Sequence, residues 1–165
     1  MRYYMDQNDK SGVWTTIKDE DNQLVYYIAG HLGRPNNTLY LYSANRNRIA
    51  TLTEGDTRQK FSLATACQTY ALHRYGKYHY HFITTASALW GWSDMNKQRG
   101  KILHYSHCSF QIRRVDQNIA GLYQIETEED HPEYFLMSLL LFDSSFIRQP
   151  KRNRQLFARS LRYTD

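Results

Sequence analysis

A chain of 165 residues has the size of one ordinary domain and can bury roughly two-thirds of the surface its unfolded form exposes, so a core without disulfides is within reach. Two cysteines, Cys67 and Cys108, are too few for a secreted disulfide framework, and the longest apolar run, Tyr134 to Phe142, falls far short of the about 20 residues that span a bilayer. The net charge of +5 lies entirely beyond residue 147, where Arg148, Lys151, Arg152, Arg154, Arg159 and Arg162 face a single acid, Asp165; the preceding residues are neutral as a body, which disfavours nucleic acid as a partner.

The first residues, Met1 to Asp6, lead into no apolar signal-peptide core, so the chain is expected to be cytoplasmic. Fourteen tyrosines against three prolines favour pleated surfaces with one wet side. Arg2–Met5 opens a series of short β-rich runs. Val13–Lys18 and Gln23–Ala29 flank Asp19-Glu20-Asp21-Asn22 and predict a hairpin; Thr38–Ser43 and Arg48–Thr53 flank Ala44-Asn45-Arg46-Asn47 and predict a second, with asparagines suited to left-handed angles.

Gln59–Ala64 and Cys67–His73 follow, and the chain turns at Tyr75-Gly76-Lys77 into Tyr78–Thr84. Beyond Leu89–Trp92 a polar segment, residues 93–100, leads to Lys101–Tyr105, Cys108–Arg114, a turn at Asp116-Gln117-Asn118, and Ile119–Glu126. The count is about twelve strands. A weak echo of the same pattern around Ile17, Leu41, Leu72 and Ile112 is unevenly spaced, which favours a meander of hairpins over a solenoid or propeller.

At residue 130 the pattern changes. Asp130-His131-Pro132-Glu133 supplies an N-cap residue, a first-turn proline and an acid near the positive helix end, predicting a helix over about 133–146. The run Tyr134-Phe135-Leu136-Met137-Ser138-Leu139-Leu140-Leu141-Phe142 is apolar on every side, and a helix without a polar face must be enclosed by protein. From Glu133 to Phe146, at 1.5 Å per residue, the helix would be about 21 Å long, comparable with the height of a barrel of short strands. Burying its large side chains contributes at most roughly 10–20 kcal/mol before entropy is counted. The expected fold is therefore mainly β: an antiparallel barrel of about twelve strands, closed or nearly closed, around its own C-terminal helix. The barrel occupies residues 1–147 and a basic tail occupies 148–165. A short interior helix in a mixed α+β fold is the alternative.

The hairpins TIKDEDNQLVYYIAG (Thr16 to Gly30) and LYLYSANRNRIATL (Leu39 to Leu52), with the helix EYFLMSLLLFDSSF (Glu133 to Phe146), resemble the tubby-like superfamily of LURP-one-related proteins, tubby C-terminal domains and phospholipid scramblases. The resemblance spans about residues 2 to 147 and implies a twelve-stranded barrel around a hydrophobic helix. Asn22 and Asn47 stand where turn glycines are usual in that family. The palmitoylated cysteine cluster and acidic calcium motif of scramblases have no counterpart, and the resemblance assigns no binding residue.

Chemistry-bearing residues are scattered. His79 and His81 share a strand face and could join His104, His107 or Cys108 around a metal, but tyrosine and histidine on a wet face give the same pattern without one, and no closed ligand set accompanies them. Cys108 as a nucleophile would need His107 or His104, with help from Asp116; the neighbouring His107 projects to the opposite face, so a buried, inert thiol is the expectation. Gly30-His31-Leu32-Gly33 lacks the strand-to-helix context of a phosphate cradle. The acidic run Glu126, Glu128, Glu129 and Asp130 could hold a cation with Glu133 or, more simply, form a solvated linker that complements the helix start. Trp90-Gly91-Trp92 could form an aromatic platform, with packing as the simpler role.

The tail KRNRQLFARSLRY (Lys151 to Tyr163) sets Leu156, Phe157 and Leu161 among arginines, which suits an anionic phospholipid surface or an acidic protein surface, with Arg152, Arg154, Arg159 and Arg162 as the binding residues. The expectation is a non-enzymatic binding or scaffold module, cytoplasmic and peripheral at the membrane, with no catalytic residue, metal or cofactor. A small-ligand-binding barrel is the alternative, and a metal-dependent enzyme a weaker one.

Overall fold

The computed structural model describes residues 1–7, 15–32, 37–57, 60–75, 79–83, 88–94, 99–104, 107–116, 121–128 and 130–141. Among the described residues, twelve strands precede one helix: β1 (Arg2–Asp6), β2 (Thr15–Lys18), β3 (Leu24–His31), β4 (Thr38–Ser43), β5 (Arg48–Glu54), β6 (Lys60–Thr65), β7 (Thr69–Tyr75), β8 (His79–Ile83), β9 (Ala88–Asp94), β10 (Arg99–His104), β11 (His107–Arg114), β12 (Leu122–Thr127) and α1 (Tyr134–Leu141). Each strand pairs antiparallel with its sequence neighbour, and β1 pairs with both β2 and β12, so the hydrogen-bonded order runs around a closed barrel. The first residue extends this seam: the Met1 amino group donates to the Thr127 carbonyl at 2.7 Å, and Thr127 N–H returns to Met1 O at 3.0 Å.

Local chemistry explains the first two hairpins, which share one construction. Asn22 N–H closes on Asp19 O at 3.1 Å and Asp19 N–H on Gln23 O at 3.0 Å, while Asp19 Oδ1 accepts from the N–H groups of Asp21 and Gln23. Ser43 plays the part of Asp19 in the next turn: Arg46 N–H reaches Ser43 O, Ser43 N–H reaches Asn47 O, and Ser43 Oγ accepts from Asn47 N–H at 3.2 Å. In both, the fourth turn residue is left-handed, Asn22 at φ 61° and Arg46 at φ 65°, and the register shifts one residue before the turn's start. A tight hairpin turn that ends in a left-handed residue with a bulge produces this geometry. The second turn therefore places Arg46, not Asn45 or Asn47, in the left-handed region; hydrogen bonding of the turn overrides the asparagine preference.

Several boundaries move. β7 begins at Thr69, because Thr65 Oγ1 accepts from the N–H groups of Cys67 and Gln68 and draws Cys67 into the turn. Both ends of the polar segment beyond Trp92 are strand: β9 continues to Asp94 and β10 starts at Arg99, with Arg99 paired to Asp94, while residues 95–98 lie outside the described residues. Val13 and Trp14, expected to begin the second strand, and Ile119, expected to begin the last, lie outside the described residues.

Alternation along each strand sends one set of side chains inward. Met5, Ile17, Leu41, Leu52, Leu63, Leu72, Ile102, Ile112 and Ile125, from nine strands, are fully buried and belong to one cluster with Leu136 and Met137 of α1. Every residue from Glu133 to Leu140 is buried, so over these positions α1 has no wet side and fills the barrel interior. Its Phe135 ring meets Tyr3 of β1 edge-on at 5.3 Å, Tyr26 of β3 at 5.5 Å and Phe110 of β11 at 5.6 Å. The helix approaches β9 and β10 most closely, and the lumen-side positions there include two buried glycines, Gly91 and Gly100, in register with the inward Ile102 and Ile112. Missing side chains at those positions leave the helix room to come near.

The one polar side chain inside the apolar run, Ser138, donates to Phe135 O at 2.7 Å. Pro132 precedes the helix in a turn, and the first helical N–H groups of Tyr134, Phe135 and Leu136 bond to the carbonyls of His131, Pro132 and Glu133. The continuation to Phe146 and the basic tail with Arg152, Arg154, Arg159 and Arg162 lie outside the described residues. Among the described residues no helix is long and apolar enough to cross a membrane.

Candidate functional site

With the lumen occupied by α1, the groups that could meet a partner lie at the barrel mouth and on its outer wall. At the mouth, Glu133 is buried (8% side-chain exposure) just before α1 and its Oε1 accepts from Tyr70 Oη of β7 at 3.3 Å. Gln68 Nε2 donates to that same phenol oxygen. His131 Nδ1 stands 3.0 Å from Glu133 Oε1, and its ring stacks on Tyr134 with centroids 4.9 Å apart. Glu133 is thus a buried tie between the helix entry and β7; its interaction with a strand 63 residues earlier could not be read locally. Of the other acids in that run, Glu128 and Asp130 are exposed, Glu126 belongs to β12, and Glu129 lies outside the described residues.

Because hydrogen bonds to a charged, enclosed acceptor are worth about 1.5–3 kcal/mol, Glu133→Ala is expected to lower unfolding stability by roughly that amount, and Glu133→Gln, which keeps one acceptor oxygen, by less. Urea unfolding of the two variants checks the order.

On the outer wall, β1, β11 and β12 border a cleft of about 360 Å³ lined by Met1, Arg2, Glu20, Cys108, Gln111, Glu126, Thr127 and Glu128. Arg2 Nε lies 3.3 Å from Glu126 Oε1, and Glu20 and Glu126 both hold the guanidinium in its charged form, raising its pKa above the ordinary value. Gln124 Nε2 donates to the same Glu126 oxygen at 2.8 Å. Arg113 Nη2 donates to Gln124 Oε1 at 3.1 Å and reaches within 4.0 Å of Glu126. Antiparallel pairing builds this network from residues distant in sequence: Arg2 opposes Glu126, and Arg113 opposes Gln124 on one side and Arg99 on the other. Around the lumen, burial raises the phenol pKa of Tyr3, Tyr26 and Tyr123, which keeps these rings neutral.

Cys108 is exposed, which corrects the expectation of a buried thiol. The cause is an irregularity in the β10–β11 ladder: Ile102 pairs with Phe110 but Leu103 pairs with Cys108, leaving Ser109 as the extra residue. The shift takes Cys108 off the face that Phe110 buries. His104 and His107 close the β10–β11 hairpin as register partners, and across the wall His81 aligns with His73 and Trp90, while His79 aligns with Tyr75 and Trp92. Their backbones are described, and the side chains of His79, His81, His104, His107, Trp90 and Trp92 are not. Among the described residues, no three His, Cys, Asp or Glu side chains gather as a metal site would need. Gly30 lies within β3 at φ 90° against the Thr38 backbone, so its role is close strand approach.

No protein-family model matches the chain, and no curated protein matches its sequence. Among solved structures, the fold is similar to the X-ray structure of the Arabidopsis thaliana protein AT5G01750, with a TM-score of 0.59 over 86% of this chain and 88% of that one at 10% identity. At that identity the likeness concerns the fold alone.

Proposed function

We propose that the protein is a non-enzymatic binding or scaffold module of the LURP-one-related, tubby-like kind, which engages partners on its outside. The carrying observation is the helix-filled interior: residues 133–140 are buried within the ring of strands, so a small-ligand barrel of the carrier type would have to expel its own core to admit cargo. The family reading is supported by the sequence resemblance of the two hairpins and the helix, together with the fold likeness to the Arabidopsis protein. In this reading the tail, through Arg152, Arg154, Arg159 and Arg162, associates with anionic phospholipid at the cytoplasmic membrane face.

Each basic group near a charged membrane is worth about 1 kcal/mol, so changing the four arginines to glutamine in the full chain should weaken binding on the order of 10²–10³-fold. Co-sedimentation with phosphatidylserine-containing vesicles measures this. Equal binding by the two proteins, or none by either, removes the lipid surface from the proposal.

A further inference from the structure

We infer that His73, His79 and His81, on the neighbouring strands β7 and β8, form a binding site for zinc on the outer wall. His81 is the direct register partner of His73, which sets their Cβ atoms about 4.5–5.5 Å apart. His79 lies two residues from His81 on β8, hence on the same face and roughly 6.6 Å away along the strand. It stands diagonal to His73, at about 7–8 Å. Three histidine positions thus form a small triangle, set by backbone register and alternation alone; the side chains of His79 and His81 lie outside the described residues.

The triangle belongs to the outer face. Leu72, next to His73, is fully buried in the lumen, so alternation gives His73 and its partner His81 to the opposite face. Register also decides which histidines stay out. His104 pairs with Leu89, Leu89 with Phe82 and Phe82 with Leu72, which puts His104 in the lumen-side row, and His107 is its hairpin partner. The pair at 79 and 81 therefore takes its third member from β7, a residue that the spacing of histidines in the sequence does not single out. On β9 the register sets Trp90 beside His81 and Trp92 beside His79, an aromatic border that suits a site with restricted access to water. Lys60 lies beside His73 on β6, but it is exposed, and its long stem carries the ammonium into solvent.

Zinc takes neutral imidazole nitrogens at about 2.0–2.1 Å, and three of them leave the fourth tetrahedral position to water or another ligand. Three nitrogens suit zinc and its neighbours rather than calcium or magnesium, which take oxygen ligands. The site involves neither the tail nor a lipid, so it stands apart from the reading above.

The test uses the full chain without a polyhistidine tag, stripped of metal by a chelator and titrated with zinc in a calorimeter. One ion per chain should bind with a dissociation constant on the order of 1 μM, weaker than the four-ligand sites that hold zinc fingers folded. His73→Gln, His79→Gln and His81→Gln should each weaken binding by roughly tenfold or more, whereas His107→Gln should leave it unchanged. Cobalt(II) in place of zinc reads the geometry, since a tetrahedral site gives intense visible absorption, which His73→Gln should abolish. Melting followed by circular dichroism shows which variants are folded, and zinc should raise the Tm of the parent chain but not that of His73→Gln. Should His81→Gln fail to fold, His73→Gln and His79→Gln carry the test. Zinc binding that is absent or not one ion per chain, that persists unchanged in any folded variant of the three, or that falls equally in His107→Gln overturns the proposal.

Discussion

Replacing Leu136 with Asp is expected to abolish cooperative folding, giving a chain that has lost its near-ultraviolet circular dichroism and melts without a transition. Leu136 is 0% exposed in α1, within the cluster that joins the helix to the strands around it. Even Leu136→Ala should cost about 2–5 kcal/mol through lost transfer energy and the cavity left behind. A carboxylate there adds a desolvation penalty of several kcal/mol with no partner, against a total stability of roughly 5–15 kcal/mol for a domain. Leu136→Met nearly conserves volume and should cost less than about 1.5 kcal/mol. A helix resting on one side of an open sheet could turn the aspartate to water; retention of a sharp thermal transition by Leu136→Asp would contradict the enclosed helix.

The second large effect is expected at Gly30. Its φ of 90° is a conformation that L side chains rarely adopt, and an added Cβ would run into the Thr38 carbonyl oxygen. That obstacle is backbone within the β3–β4 ladder, where Gly30 pairs with Leu39, so it cannot swing aside as a flexible side chain would. Gly30→Ala combines the cost of an unfavourable backbone angle with overpacking and should destabilise by roughly 2–4 kcal/mol. For a chain of this size each kcal/mol lowers Tm by about 2–4 °C, so calorimetry should record a drop of several degrees or more. Gly55→Ala serves as a comparison, since a Cβ there approaches the Lys60 carbonyl oxygen only to 3.1 Å. Equal melting of the two variants would show that the crowding at Gly30 relaxes at little cost.

The candidate sites were legible to different degrees. The tail arginines stand out because charge is a property of composition and needs no fold to be noticed. Arg99 and Arg113 lie fourteen residues apart in a stretch, residues 95–115, that carries five basic groups and no acid, and only the pairing of β10 with β11 makes them neighbours. A neutral total over residues 1–147 hid the local concentration of positive groups, because summed charge discards position. Glu133 was noticed as a helix-start acid, but its burial depends on Tyr70 arriving from β7.

Sequence alone determined the β-rich class, the two early hairpins and the enclosure of the helix, because each rests on nearby residues: turn chemistry at Asp19 and Ser43, period-two alternation, and a run from Tyr134 with no polar face. Tertiary structure decided which strand lies beside which, and through that the contents of the outer wall. The physical reason is register. One extra residue at Ser109 moves Cys108 off the buried face, and the seam between β1 and β12 sets Arg2 against Glu126 across most of the chain. Such pairings are fixed by the closure of the whole ring, whose hydrogen bonds are the same for every side chain and leave no local mark in the sequence.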